Sequence, residues 1–291
     1  MTERLDLNNW LWAFEEPAGD SDKQWLVDPA GTAWLFKPLK QERSPDEAAS
    51  EFVASSIAQV LRIPAAYVRL GQLRGKDGCV SRNVIEERHH GLVEGATYIS
   101  AVHENFDPKS RHSIGHNIPN ILAVLKDLDP PTGAASGLTA IEAFAEFLML
   151  DALIGNTDRH SKNWGVETAL SGPDRLAATF DHATSLGITL RGPKRDRILS
   201  DPDRIDDFVR GACAHRFENG RSTTLVDFAG HFMLEHGSRI RDSWTSRMIE
   251  LHPSTLEEIV TSANMTSPGA NLARHVLRIN RERIIQWLTS R

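Results

Sequence analysis

The sequence has 291 residues, of which 40% are hydrophobic and 25% are charged, and its formal net charge is −6. A chain of this length can bury a substantial core, as one large domain or as two lobes that share a cleft. The balance of 33 basic against 39 acidic residues excludes a broadly basic surface. Direct binding of nucleic acid or of an anionic membrane is therefore not expected.

The cysteine content and the length of the apolar runs exclude further classes of protein. Cys79 and Cys213 are too few for a disulfide framework and match no paired zinc spacing. No stretch approaches the roughly 18 apolar residues of a membrane span. The N-terminal sequence MTERLDLNNWLW lacks the basic start and the long apolar run of a signal peptide. These features predict a cytoplasmic protein without a membrane segment.

The first third of the chain is predicted to be rich in strands, with one helix. KQWLVD and TAWLFKPL have strand-like patterns around the turn-forming PAG, which predicts a hairpin. In SPDEAASEFVASSIAQVLRI, Ser44 as N-cap and Glu47 three residues later predict a capping box, and the helix is expected from about Pro45 to Leu61. AAYVRLGQL and GCVSRNVIEE predict two further strands around the turn RGKDG.

From about residue 93 the apolar spacing becomes mainly helical, in IPNILAVLKDL, AIEAFAEFLMLDALI, TLVDFAGHFMLEH and ANLARHVLRINRERIIQWL. NWGVETA and RLAATFDH, joined by the turn-forming LSGPD, interrupt this pattern and predict a small hairpin. The sequence thus predicts an α+β fold of two lobes: a small β-rich lobe over residues 1–92 and a larger, mainly helical lobe over residues 93–291.

Such an architecture can hold a nucleotide between its lobes. Phosphoryl transfer needs a cation on the nucleotide phosphates, an acid that holds this cation, a carboxylate near the attacking hydroxyl and ligands for a metal ion. Lys37 ends the strand-like AWLFKP, and Glu51 lies on the helix that follows, so the two are candidates for the strand-to-helix ion pair of protein kinases. Taken alone, a lysine at a strand end is better explained by exposure to solvent.

The stretch LIGNTDRHSKNWGV places two further candidates in one polar loop after a predicted helix. Asp158 and Asn163 have the spacing of the Asp and the Asn in the kinase catalytic loop HRDxxxxN, although the preceding His-Arg is missing. Asp181 follows the small hairpin, where kinases carry the Asp of DFG, but the sequence here is DHATS and a turn or N-cap aspartate is the alternative. The order of the five groups along the chain favours a metal and nucleotide site.

This ordered set resembles the HipA-like serine/threonine kinases, a branch of the protein-kinase fold known from bacterial toxin–antitoxin systems. GNTDRHSKN and FDHATS carry the resemblance, and WLFKP, EFVASSIAQVLRIP and VIEERHHG support it. The resemblance implies a two-lobed kinase-like fold with Asp158 as the catalytic aspartate and Asn163 and Asp181 as magnesium ligands. It also implies that Lys37 binds the nucleotide phosphates, with Glu51 as its partner.

The resemblance, which spans about residues 20 to 190, implies further site residues. Glu87 to His89 would form the hinge that meets adenine through backbone groups. His160 and Lys162 belong to the catalytic motif, and Lys162 is expected to stabilise charge on the transferring phosphoryl group. The implied cofactors are ATP and Mg²⁺.

Departures from the longer family members concern the N-terminus. Those members carry an additional N-terminal subdomain, and this sequence begins almost at the first kinase strand, which suggests a core-only form. Their phosphate loop contains a serine whose autophosphorylation switches the enzyme off. The corresponding region here is EEPAGDSDKQW, in which Ser21 is the candidate phosphosite and an ordinary polar loop serine is the alternative. A phosphate there would add roughly −1.5 to −2 charges beside bound nucleotide and repel it.

Two further features have no single interpretation. His89, His90, His103, His112 and His116 lie in irregular sequence without the fixed third ligand that a zinc site needs, so ordinary polar roles are expected. The basic run RGPKRDR stands where an activation or substrate loop would lie. It suits docking of an acidic macromolecular surface or of nucleic acid, and a solvated loop explains it about as well because nearby acidic residues dilute its charge.

The expected function is ATP- and magnesium-dependent phosphorylation of a protein serine or threonine. The resemblance implies a target in translation, such as an aminoacyl-tRNA synthetase, and growth arrest relieved by an antitoxin partner. One alternative is a small-molecule kinase of the aminoglycoside-phosphotransferase kind, whose usual pattern is HxDxxxxN, whereas Asn156 stands two residues before Asp158 here. Another is a catalytically silent, nucleotide-binding interaction module.

Overall fold

Strands dominate the first part of the chain and helices the second in the computed structural model, which describes residues 3–15, 22–85 and 91–290. The strands within these ranges are β1 Leu5–Asp6, β2 Leu11–Glu15, β3 Gln24–Val27, β4 Ala33–Pro38, β5 Val68–Leu73, β6 Lys76–Arg82, β7 Gly91–Glu94, β8 Gly165–Thr168 and β9 Arg175–Leu176. The α-helices are α1 Glu47–Val60, α2 Gly95–Val102, α3 Ile118–Leu125, α4 Ala140–Ile154, α5 Gly192–Leu199, α6 Pro202–Arg210, α7 Leu225–His236, α8 Arg241–Glu250, α9 Pro253–Ser262 and α10 Ser267–Thr289.

The first sheet has the strand order β1-β5-β6-β4-β3-β2. The hairpin predicted around PAG is confirmed, because β3 and β4 pair antiparallel with Val27 opposite Ala33. The second predicted strand pair is also confirmed, since β5 and β6 pair antiparallel from Val68 and Ser81 to Leu73 and Lys76. Strands β4 and β6 join the two hairpins at the centre of the sheet.

The alternation of side chains along β4 turns one lysine toward α1. Phe36 is buried in a small cluster on one face of the sheet, with Leu7, Leu26, Trp34, Leu73 and Val80. Successive side chains of a strand point to opposite faces, so Lys37 must face the other way. Opposite Lys37 in the register lies Cys79, which belongs to the large core that also contains the buried face of α1. The strand period therefore directs Lys37 toward the helix that carries Glu51.

The start of α1 differs from the prediction. The helix begins at Glu47, and its N-cap residue, Asp46, makes no side-chain cap hydrogen bond. The predicted capping box of Ser44 and Glu47 is wrong, because Asp46 takes the cap position and its carboxylate is bound elsewhere. Its two oxygens accept hydrogen bonds, both 2.7 Å long, from the backbone N–H and the hydroxyl of Thr266, the N-cap of α10. This buried contact ties the helix beside the first sheet to the C-terminal helix.

Helix α4 has the predicted bounds and leads directly into the polar loop. Its N-cap Thr139 and Glu142 form a capping box, and all but one of its residues are buried. A helix that is hydrophobic on all sides is typical of a protein centre. The chain leaves the helix at Gly155, whose φ of 65° is left-handed. Glycine adopts this conformation without strain, so it ends the helix sharply and turns the next residues back toward the first sheet.

A second sheet, with the order β7-β8-β9, contains the predicted small hairpin of β8 and β9. The lobe boundary predicted at residue 92 falls inside β7, whose Gly91–Glu94 pair with β8, and it stays a prediction. The basic run RGPKRDR forms most of α5 rather than a loop, and α5 has no buried residue. Throughout the described ranges, every helix is too short or too polar to cross a membrane.

Candidate functional site

A cleft of about 250 Å³ lies between the first sheet with α1 and the loops that follow α4 and β9. It brings together five residues that the sequence singles out from four separate segments. These are Lys37, Glu51, Asp158, Asn163 and Asp181. Other lining residues add positive charge, namely Lys23, Lys40 and Arg43. With Glu47, the described lining contains four acidic side chains beside four basic ones, so the cleft offers positive charge to an anionic ligand and carboxylates to a cation.

Lys37 is held between two carboxylates from different parts of the chain. Its Nζ lies 2.7 Å from Oε1 of Glu51 and 3.2 Å from Oδ1 of Asp181. Burial alone would lower the pKa of the ammonium, but the charges of Asp181 and Glu51 outweigh burial and raise it. The charge of Lys37 in turn holds the pKa of the Asp181 carboxyl well below its usual range. The cleft therefore holds a permanent cation beside a permanent anion at neutral pH.

The polar loop after α4 is shaped by a buried arginine. Arg159 is 2% exposed, and its guanidinium donates two hydrogen bonds of 2.7 Å to the two carboxylate oxygens of Asp151, on α4. It also donates to the backbone carbonyl of Asn163 and, at 3.1 Å, to Nε2 of His182. A planar guanidinium paired with a carboxylate has a fixed orientation. Arg159 therefore fixes the positions of Asn163 and His182 relative to α4.

Asn156 supports the same loop from within. Its side-chain amide donates to Oδ1 of Asp151 at 2.8 Å, and its Oδ1 accepts the backbone N–H of Asp158 at 3.1 Å. Asn163 closes the loop, because its Nδ2 donates to the backbone carbonyl of Asp158 at 2.8 Å. The spacing of five between Asp158 and Asn163 is therefore the span of a hydrogen-bonded loop.

The carboxylate of Asp158 faces the cleft and has one partner that the sequence did not indicate. Nε and Nη2 of Arg216 lie 2.7 Å and 2.6 Å from Oδ1 of Asp158. The side chains of Arg216 and Asp158 are 45% and 26% exposed. Arg216 follows α6, and no motif relates it to the polar loop, so only the folded chain brings the two residues together.

Asp181 reaches the cleft through an unusual backbone conformation. Its φ is 61°, in the left-handed region that few residues other than glycine, asparagine and aspartate adopt. The next residue, His182, is buried, and burial followed by the charge of Arg159 holds the pKa of its imidazole well below the ordinary value. His182 is therefore neutral, and its Nε2 lies 3.1 Å from both Arg159 and the hydroxyl of Thr179. These contacts hold the turn that projects Asp181.

Asn163 and Asp181 have the chemistry of a magnesium site that shares its coordination with a phosphate. Among the described contacts, Oδ1 of Asn163 and Oδ2 of Asp181 have no protein partner, while the other polar atom of each side chain is engaged. Hard oxygen donors suit Mg²⁺, which is commonly bound by one or two protein groups together with phosphates and water. The described part of the chain holds no group of three or more His, Cys, Asp or Glu side chains that could bind a metal by themselves.

The structure places His160 and Lys162 on the same loop, but neither is among the side chains that line the described cleft. The ring of His160 accepts the backbone N–H of Lys162 at 3.2 Å. Burial lowers the pKa of His160. Lys162 is 47% exposed, and its Nζ lies 3.8 Å from Glu94. The phosphoryl-stabilising role of Lys162 stays a prediction.

Three predicted site residues, Ser21, Glu87 and His89, lie outside the described residues. Sequence reasoning also missed Lys23, a cleft-lining cation that comes directly before β3. The sequence could have indicated Lys23, because it is the first residue of KQWLVD, next to the predicted phosphate loop. Arg159 was within the quoted motif, but nothing in the motif indicated that it is buried.

A family model and solved structures relate the chain to known proteins. The model of the HipA-like C-terminal domain family matches residues 16–232. The structure is similar to the Helicobacter pylori proinflammatory kinase CtkA, with a TM-score of 0.74, 17% identity and coverage of 99% of this chain and 98% of that chain. HipA of Shewanella oneidensis MR-1, solved with HipB and operator DNA of a toxin–antitoxin system, gives a TM-score of 0.54 at 12% identity, with 96% of this chain and 63% of that chain covered. No curated protein sequence matches the chain.

The likeness to these two chains confirms the predicted fold class. The sheet with α1 and the helical remainder correspond to a kinase-like α+β fold, in which the cleft lies between the strand-rich and the helical part.

Proposed function

Because the chain belongs to the HipA-like C-terminal domain family, we propose that its cleft binds ATP with Mg²⁺ and transfers the γ-phosphoryl group to a serine or threonine hydroxyl of a protein. The observation that carries this proposal is the position of Lys37 between Glu51 and Asp181, in the same cleft as Asp158 and Asn163. A positive group for phosphates, oxygen donors for a metal ion and an accessible carboxylate are the set that phosphoryl transfer needs.

Each residue has a distinct task in this reaction. Lys37, held by Glu51, pairs with the phosphate oxygens of the nucleotide, and Lys23 adds a second positive charge at the same end of the cleft. Asn163 and Asp181 hold Mg²⁺, which supplies neutralisation of phosphate charge when it is bound. Asp158 orients the attacking hydroxyl and receives its proton as the new oxygen–phosphorus bond forms. The bond from the γ-phosphorus to the bridging oxygen breaks, and ADP leaves with the bond's electron pair.

The segments outside the described residues have roles that rest on family membership alone. Glu87 and His89 would belong to the hinge beside the adenine. Ser21 would lie in the phosphate loop, where its phosphorylation would reduce nucleotide binding by adding negative charge. Phosphopeptide mapping of active protein after incubation with ATP and Mg²⁺ tests this, and a persistently unmodified Ser21 would refute it.

The finer biological role is also a proposal. HipA of Shewanella oneidensis MR-1 was solved together with HipB in a toxin–antitoxin system, which supports an antitoxin partner for this chain. A translation component, such as an aminoacyl-tRNA synthetase, is the proposed substrate. The absence of a broadly basic surface favours a protein partner over direct nucleic-acid contact.

The test is the fate of labelled γ-phosphate in a bacterial lysate. The protein is incubated with labelled ATP and Mg²⁺, and the lysate is separated into macromolecules and small molecules. Label in protein bands, found by mass spectrometry on serine or threonine, supports the proposal and identifies the target. Label only in the small-molecule fraction would instead indicate a kinase of the aminoglycoside-phosphotransferase kind. Nucleotide binding without any transfer would indicate a silent binding module.

A further inference from the structure

Two segments that are distant in sequence, residues 115–117 and 216–218, lie side by side near the polar loop. The backbone N–H of Gly115 and the side-chain amide of Asn117 both donate to Oε2 of Glu218, at 3.0 Å and 2.6 Å. The backbone N–H of Glu218 donates to the carbonyl of His116 at 2.8 Å. The rings of His116 and Phe217 stack with their centroids 4.6 Å apart. Residues 115–117 therefore hold residues 216–218 from both sides.

His116 connects this pair of segments to the polar loop. Its Nδ1 donates to the backbone carbonyl of Arg216 at 2.6 Å, and its Nε2 accepts the indole N–H of Trp164 at 3.2 Å. This pattern requires the neutral ring with its hydrogen on Nδ1. Burial is the main cause that lowers the pKa of His116 to about 4, so the ring keeps this form at neutral pH. Trp164, which is 1% exposed, directly follows Asn163.

The contacts form a closed ring around the loop. The backbone connects Asp158 through Asn163 to Trp164, whose indole N–H is bonded to His116. His116 is bonded to the backbone carbonyl of Arg216, and the guanidinium of Arg216 contacts Asp158. Each member other than Asp158 and Arg216 is at most 5% exposed. Buried groups thus anchor the backbone of Arg216 near Asp158, although the Arg216 side chain itself is half exposed.

The guanidinium engages only one side of the carboxylate. Both Nε and Nη2 of Arg216 contact Oδ1 of Asp158, while Oδ2 has no protein partner among the described residues. A carboxylate held through one oxygen cannot rotate freely, and its other oxygen then has a fixed direction. Hydrogen-bond acceptance from a substrate depends on such orientation.

We propose that Arg216 is a positioning residue that holds Oδ1 of Asp158 so that Oδ2 accepts the proton of the substrate hydroxyl. This inference rests on the proposed kinase function and goes beyond it, since it assigns a role to a residue outside GNTDRHSKN and FDHATS. In the transfer step the hydroxyl proton passes to Oδ2, the hydroxyl oxygen bonds to the γ-phosphorus, and ADP leaves. Arg216 exchanges no atom. It keeps the carboxylate aligned and carries a positive charge next to it throughout.

The test compares Arg216→Ala and Arg216→Lys with a matched surface arginine. Arg210→Ala serves as the control, because Arg210 forms an exposed ion pair with Asp206 of the same helix, α6, and contacts no site residue in the described part of the chain. We expect Arg216→Ala to lower kcat by about 10- to 100-fold, the cost of a misplaced reacting group, with KM for ATP within about twofold of wild type. Arg216→Lys restores one contact and should recover part of kcat, and Arg210→Ala should leave kcat unchanged.

Chemical rescue separates positioning from a structural role. Because the Arg216 side chain is half exposed, guanidinium ions at millimolar concentration can enter the space that Arg216→Ala leaves. They should raise the kcat of Arg216→Ala several-fold and leave Asp158→Asn and Arg210→Ala unchanged. Circular dichroism and thermal unfolding confirm that each variant is folded.

The outcomes separate this proposal from the proposed function. A wild-type protein that transfers phosphate, with an Arg216→Ala variant of unchanged or increased kcat, would overturn the role of Arg216 alone. So would a loss that appears only as a raised KM for ATP, or one that guanidinium fails to rescue while Arg216→Lys is as inactive as Arg216→Ala. A wild-type protein that transfers no phosphate to any acceptor would overturn both.

Discussion

Nζ of Lys37 lies 3.2 Å from Oδ1 of Asp181, although 144 residues separate the two in sequence. The contact joins the central strand of the first sheet to the turn after the second sheet, and it places opposite charges at the floor of one cleft. Glu51 holds the same ammonium from α1. The geometry that the proposed reaction needs is thus already present in the folded chain, and its parts are separately testable.

Replacement of Lys37 separates folding from nucleotide binding. Lys37→Met leaves the carboxylate of Glu51, which is 2% exposed, without its cation, and a broken buried pair costs about 3 kcal/mol or more. The double variant Lys37→Met with Glu51→Leu should recover most of this stability, because it buries no unpaired charge. Neither variant should bind ATP. Urea unfolding measures the first expectation and calorimetric titration with Mg²⁺ and ATP the second; tight binding by the double variant would refute the role of Lys37.

Arg159 is expected to be a structural residue of the loop. Arg159→Met leaves the buried Asp151 carboxylate uncompensated, and we expect a loss of about 3–5 kcal/mol in the free energy of unfolding. Arg274→Met is the control, because the ion pair of Arg274 with Glu257 is exposed and should contribute less than about 1 kcal/mol. Equal losses of unfolding free energy for the two replacements would contradict a stabilising role of the buried Arg159–Asp151 pair.

Stability is expected to fall in mild acid because of His116. Its pKa is 6.5 in an unfolded chain and about 4 in the fold, so between these values the unfolded state binds more protons than the folded state. The contribution, about 3 kcal/mol, is complete above pH 6.5, declines as the pH falls toward 4 and is absent below. Buried His182 acts in the same direction. The unfolding free energy of His116→Gln should therefore depend less steeply on pH than that of wild type between pH 4 and 6.5; identical slopes would count against a neutral, buried His116.

Gly95 allows Trp164 to pack against the start of α2. A Cβ at this position would lie 2.3 Å from Cε2 of Trp164, so Gly95→Ala must move the indole or the helix. Overpacking of this kind costs about 1–3 kcal/mol. Since Trp164 adjoins Asn163, we also expect a lower phosphotransfer rate. Gly91→Ala at the other end of β7 is the control, because among the described residues its Cβ would meet only the hydroxyl of Thr168, at 3.1 Å. A Gly95→Ala variant as stable and active as Gly91→Ala would disprove the packing argument.

The sequence allowed prediction of those elements whose apolar pattern is strong. Helix α4, buried on nearly every side, was predicted with its observed bounds, and the pairing of β3 with β4 followed from alternation around a turn. Strand β2 has only exposed residues and α5 has no buried ones, so neither carries a pattern that a core would impose. The predicted cap of α1 was wrong because of a tertiary contact: Asp46 is bound to Thr266, more than 200 residues away.

The candidate site likewise contains some residues that the sequence could indicate and others that only the folded chain reveals. Lys37, Glu51, Asp158, Asn163 and Asp181 could be selected because phosphoryl transfer needs these chemical types and the chain presents them in order. Arg216 could not, because its contact with Asp158 depends on how the segment after α6 packs against residues 115–117. The burial of Arg159 likewise depends on Asp151 of α4, whose inward direction no local pattern reveals.

The most direct test of the central claim is magnesium-dependent transfer of γ-phosphate by wild type beside Asp158→Asn, with ATP affinity measured for both. Asparagine keeps the size of the side chain but cannot take the hydroxyl proton. We expect transfer by wild type only in the presence of Mg²⁺, a loss of at least about 100-fold in Asp158→Asn, and similar ATP affinity in the two proteins. Equal transfer by both would show that Asp158 does not carry the reaction, and ATP binding without transfer in wild type would contradict the kinase function itself.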